Sequence, residues 1–183
     1  KYNMKKSMTF FAENITTFYD KEQDRLSLVF TDKDQQKLQG LMTRQFFKNL
    51  LAHLPNWLMK KRADAMPQTI QQQWEINQIY HQVSQQKVTV LYGKIESNQH
   101  FENFLIATIN FSKRDLKESD QKIRLEFLDS NKTIVIISVF NLAQLHKLIG
   151  EIFKQVQVWD LENPWEEKNL IAVSSDTGDK VMH

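Results

Sequence analysis

The chain contains no cysteine, only three prolines and four glycines, and almost no net charge: 24 basic and 22 acidic side chains among 183 residues leave +2. Without cysteine there is no disulfide and no thiolate to bind a metal or attack a substrate. Gly40, Gly93, Gly150 and Gly178 stand singly, so neither a phosphate-cradling loop nor a dinucleotide fingerprint is spelled out. The near-balance of charge gives no general case for a nucleic-acid or membrane-surface protein. Long apolar runs are missing too. The longest, residues 134–140, is broken by Ser138 and falls far short of the ~20 residues of a membrane-spanning helix. Glu13 and Asn14 interrupt the N-terminal segment before it reaches the ~7–15 apolar residues of a signal peptide. A cytoplasmic location is the resulting expectation.

What the chain does have is 41% hydrophobic residues, 12 of them Phe, enough to build a core in one domain or in two closely joined halves. Arg25–Thr31 alternates, with Leu26, Leu28 and Phe30 on one face, which predicts a strand packed on one side. Ile15–Tyr19 and Lys37–Met42 read as its neighbours across short polar turns. From Thr43 the period becomes helical, with Phe46, Phe47, Leu50, Leu51 and Leu54 as the apolar stripe and Pro55 as its end or a kink. Asn56–Ala65 continues as a short helix, and Gln68–Gln86 predicts another that carries Ile70, Trp74, Ile76, Ile79, Tyr80 and Val83.

The pattern then recurs. Strands are predicted at Lys87–Tyr92, Phe104–Phe111, Ile123–Leu128 and Thr133–Val139, with turns at Asn98–His100 and Asp129–Lys132. A helix follows with Leu142, Leu145, Leu148, Ile149, Ile152, Phe153 and Val156 on one stripe, and Asn141 with Gln144 fits a capping box. Leu28, Phe30 and Asp32 coincide with Leu125, Phe127 and Asp129 at a shift of 97, and the helix stripes coincide at 98, as one extra residue at the strand-to-helix junction would explain. The fold expected is therefore α+β: internally duplicated β-β-β-α units forming antiparallel sheets or one merged sheet, with helices packed on one face and a central connecting helix. The halves are residues 8–66 and 87–161, joined by 67–86. An acidic tail spans 162–183, disordered from Ser174 onward, and a single merged domain is the alternative division.

No catalytic set and no metal site is spelled out, and no cofactor is expected. The five histidines show no HxH or HExxH spacing, so each reads as an ordinary surface or boundary histidine. The carboxylates at Asp20, Glu22, Asp24, Asp32, Asp34, Glu118, Asp120 and Asp129 fall at turns, where such side chains bond to nearby backbone amides. The strongest basic feature is Lys60, Lys61 and Arg62 after Trp57; with Arg25 and Arg124 it forms a candidate contact for an anion or nucleic acid. Residues 160–183 carry −4, leaving +6 for the rest. Val29, Leu41, Val135, Ile137 and Val139 lie opposite the presumed core faces and call for cover by a second layer, either the central helix or a partner. Val29, Val135 and Ile137 are thus candidate partner contacts, together with Trp165. The reading leans away from an enzyme, toward a noncatalytic interaction or structural protein that binds another protein or itself as a homodimer. A single-stranded nucleic-acid-binding module is the alternative.

Overall fold

The computed structural model describes residues 7–62, 69–90, 101–114 and 122–166. Among the described residues, eight strands and three α-helices follow one another as β1 (Met8–Ala12), β2 (Asn14–Asp20), β3 (Arg25–Thr31), β4 (Lys37–Thr43), α1 (Arg44–Arg62), α2 (Ile70–Lys87), β5 (Asn103–Leu105), β6 (Thr108–Arg114), β7 (Lys122–Leu128), β8 (Ile134–Asn141) and α3 (Leu142–Gln155), with a short 3-10 turn at Gln157–Trp159 after it. The α+β class is as expected. The strands form two four-stranded sheets, ordered β1-β8-β7-β6 and β2-β3-β4-β5.

Each sheet is an antiparallel meander from one half of the chain plus a parallel strand from the other half. β2-β3-β4 takes β5 against β4, and β6-β7-β8 takes β1 against β8. The chain changes sheets at Glu13, between β1 and β2, and at Ile106-Ala107, between β5 and β6. There the amides of Glu13 and Ala107 donate to the equivalent carbonyls of Thr31 and Leu128. Strands that turn such corners let two sheets share one core. The single strand expected over Phe104–Phe111 is therefore two strands in different sheets, while β1 carries no alternation that marks it. Val88, Thr89 and Val90 are not strand; the rest of the strand expected to Tyr92 and the turn at Asn98–His100 lie outside the described residues.

The register makes the two halves correspond. β3 maps onto β7 at a shift of 97, and the pairings Thr31 with Lys37 and Leu128 with Val135 put β4 onto β8 at 98. The extra residue thus sits in the β7–β8 hairpin and not at the strand-to-helix junction. This is a correspondence of topology and register, and an internal duplication is not thereby shown. Phe30 and Phe127 are equivalent positions, and their rings meet in the centre of the core with centroids 4.8 Å apart. Around them one cluster joins Leu26, Leu28 and Met42 to Ile123, Leu125 and Ile136, with Phe47, Leu54 and Leu58 of α1 and Leu145, Ile149 and Ile152 of α3.

Pro55 does not end α1, which runs through it to Arg62. An interior proline costs about 3 kcal/mol, but Leu54 and Leu58 are buried on either side of it, and packing of that size offsets the loss. α3 has the expected capping box between Asn141 and Gln144. The turn aspartates act on the backbone. Asp32 Oδ1 accepts from the amides of Asp34 and Gln36, and its equivalent Asp129 accepts from the amide of Ile134 and the hydroxyl of Thr133. Asp24 reaches further, accepting from Tyr19 Oη and from Trp159 Nε1 at 2.6 Å. Those two donors hold its carboxyl below the usual range.

Gly40 tests how tightly the sheets are joined. A Cβ there would lie 2.8 Å from Ile106 Cδ1 and 2.9 Å from Phe30 Cε2, and Phe30 is already held by Phe127. Gly40→Ala should therefore lower unfolding free energy by about 1–3 kcal/mol, despite the roughly 0.5–1 kcal/mol that removing a strand glycine returns through the backbone. The urea midpoint measures this, and an unchanged or raised midpoint contradicts the packing described.

Candidate functional site

α3 is covered on two sides. Leu145, Ile149 and Ile152 face the core, while His146, Lys147, Gly150 and Glu151 are buried on its back, where α2 lies along it. A helix that packs on a polar surface must itself bring polar groups, since a buried polar atom without a partner is costly. α2 does so with Asn77, Gln78, His81 and Ser84. Its start is fixed by a capping box between Thr69 and Gln72.

The contact is organised around two histidines. His81 Nδ1 is 3.0 Å from His146 Nδ1. Gln85 Nε2 donates to the His146 carbonyl at 2.7 Å and lies 3.4 Å from His81 Nε2. An amide NH2 only donates, so His81 Nε2 is the acceptor nitrogen, and His81 Nδ1 carries the proton and donates to His146. Gly150 makes room for this: an added Cβ would stand 2.0 Å from Gln85 Oε1. Lys147 Nζ donates to the Gln85 carbonyl at 2.8 Å and pairs with Glu151 at 3.2 Å; Lys154 reaches the same carboxylate. Trp165 closes the cluster, its ring stacked on His81 at 4.7 Å between centroids and edge-on to His146 at 5.5 Å. Burial pushes the His81 imidazole down to about 4.

The other side of α2 is its inverse. Ile76, Ile79 and Val83 are 36%, 59% and 39% exposed and lie opposite the buried polar set by helical phase. This helix turns a polar face to α3 and an isoleucine-valine stripe outward. Its main packing among the described residues is on α3 and α1.

Arg25 and Arg124 stand on different sheets, and Arg124 is paired with Glu126 at 2.6 Å. Trp57 packs its ring over Phe111 at 5.5 Å. The side chains of Lys60, Lys61 and Arg62 lie outside the described residues. Val29 is only 2% exposed and Ile137 only 7%, with Val135 half-buried. Val29 is paired across the strands with Thr16 and Gln39, and Ile137 with Phe11 and Glu126. Both are buried within the chain. Trp165, 2% exposed, is an internal wedge and not a docking residue. The histidine cluster was missed because His81 and His146 are 65 residues apart. The available signal was the spacing of Asn77, His81 and Ser84 along one helical face.

Among the described residues no group of three or more histidine or carboxylate side chains is placed to hold a metal ion, and no helix is long and apolar enough to cross a membrane. No protein-family model, curated protein or solved structure matches the chain.

Proposed function

We propose that the protein is a noncatalytic interaction module that acts by association with a polypeptide through the outward face of α2. One observation carries the reading: α2 buries Asn77, Gln78, His81 and Ser84 while leaving Ile76, Ile79 and Val83 in solvent. A solvated helix face is ordinarily polar, and the inward polar set already explains how α2 is held to α3. Among the described residues, nothing covers the stripe. The ion pair of Arg124 with Glu126 and the packing of Trp57 on Phe111 give these two residues roles within the fold and lend the nucleic-acid reading no support.

A photo-crosslinking residue placed at position 79 in the full chain, compared with one at the exposed turn residue Lys33, tests the proposal in cells. Cross-links to polypeptide concentrated at position 79 are expected; equal or stronger cross-linking at position 33 would sink it.

A further inference from the structure

We infer that the polypeptide received by α2 is a second copy of this chain, bound as a two-fold pair of antiparallel α2 helices centred on Ile79. This rests on the interaction reading above and adds the partner and its orientation.

The stripe runs Gln72, Ile76, Ile79, Val83, Gln86 at alternating spacings of four and three, the seam along which two helices meet. Read from either end, its chemistry is the same: an amide, three β-branched residues, an amide. An antiparallel copy therefore presents aliphatic to aliphatic in the middle and amide to amide at the ends. A glutamine amide donates and accepts, so it can bond to another glutamine as well as to water. Such self-complementarity is what an isologous contact requires.

Charge points the same way. In a chain with 46 acidic and basic residues, the 18 residues of α2 include only Glu75 and, in the last position, Lys87. Neither belongs to the seam. The seam itself therefore places no ion and no pair of like charges across the axis, the two costs that most often forbid a helix from meeting itself. The seam is also held ready. The Thr69–Gln72 capping box and the Gln85 bond to His146 fix the start and rotation of α2, so little order is lost on docking.

The size of the seam sets the strength. α2 is about 27 Å long, and one three-residue aliphatic stripe covers less than the roughly 800 Å² per partner of a standard interface. The pair belongs to the weak, low-area class.

Sedimentation equilibrium of the full chain from micromolar to near-millimolar concentration is the test. The expected result is a monomer–dimer equilibrium that Ile79→Glu weakens at least tenfold, with unchanged far-UV circular dichroism. Ile79 is exposed, so the variant should fold; Ile79→Gln provides a milder second substitution. Because the chain lacks cysteine, orientation can be read by oxidation. Ile79→Cys should form a covalent dimer, whereas Gln72→Cys, held roughly 20 Å from its copy across the axis, should not. A chain that stays monomeric throughout, a dimer indifferent to both position-79 substitutions, or cross-linking at position 72 would overturn the inference. If the chain is monomeric while position 79 still cross-links to a different polypeptide in cells, self-pairing falls and the interaction reading stands.

Discussion

Trp165→Ala should lower unfolding free energy by about 3–5 kcal/mol, the usual cost of deleting a buried indole, with a fall in Tm of roughly 10 °C for a chain of this size. Trp165 lies at the end of the described chain, ten residues past α3, and terminal segments seldom contribute so much. Its ring, however, lies on His81 and against His146 and is almost wholly buried. Removing it opens the α2–α3 contact to water as well as leaving a cavity. Trp165→Phe should recover more than half of the loss by restoring the stack. Urea denaturation of the three proteins measures both effects, and a Trp165→Ala midpoint within 0.5 kcal/mol of the parent would show that the indole is not holding the helices together.

The same cluster should make the protein acid-sensitive above the range where carboxylates titrate. His81 has a folded pKa of about 4, against about 6.5 for an exposed histidine. The unfolded chain therefore binds the proton more readily. This contribution to stability is complete above pH 6.5 and is lost as pH falls from there through 4. The full difference is about 3 kcal/mol. Geometry gives the same sign: a proton on His81 Nε2 would confront the Gln85 amide donor. Stacking on Trp165 favours the imidazolium by about 0.5–2 kcal/mol, less than burial opposes it. Lys147 and Glu151, which also face this contact, pair with each other and leave no uncompensated anion beside the ring. Unfolding free energies between pH 7.5 and 4.5 should fall steeply for the parent and more gently for His81→Phe, which keeps the ring stack but cannot titrate. Parallel curves would contradict the assignment.

Local pattern was a sound guide wherever one face met one environment. Leu26, Leu28 and Phe30 alternate because β3 packs a single face on the core, and the Asn141–Gln144 pair marks the start of α3 because a free helix end needs those acceptors. The coincidence of Leu28, Phe30 and Asp32 with Leu125, Phe127 and Asp129 identified positions that do occupy equivalent places. It failed where two environments competed. The corners at Glu13 and Ile106-Ala107 use neither glycine nor proline, so nothing local announces that the chain is changing sheets. Val29 and Ile137 looked like residues in need of a partner because strand alternation tells which face a residue takes and not whether the chain itself buries that face. α2 was the instructive case. Its apolar residues were visible, but which face turns inward was decided by the polar back of α3, 60 residues further on, and no window within α2 contains that information.

The pairing of β1 with β8 has a consequence for how the molecule is made. β1 precedes its partner strand, which begins at Ile134, by more than 120 residues. At synthesis rates of about 5–20 residues per second, β1 waits on the order of 10 s without its neighbour. β2, β3 and β4 can zip together at once, but they too lack β5 until residue 103 has emerged. Each meander is completed by a strand from the opposite half: β2-β3-β4 waits for β5, while β1 waits for β8. Completion of the fold is therefore a late, chain-wide event, and a nascent chain stopped before β8 should expose β1 as a free strand available to any other open edge.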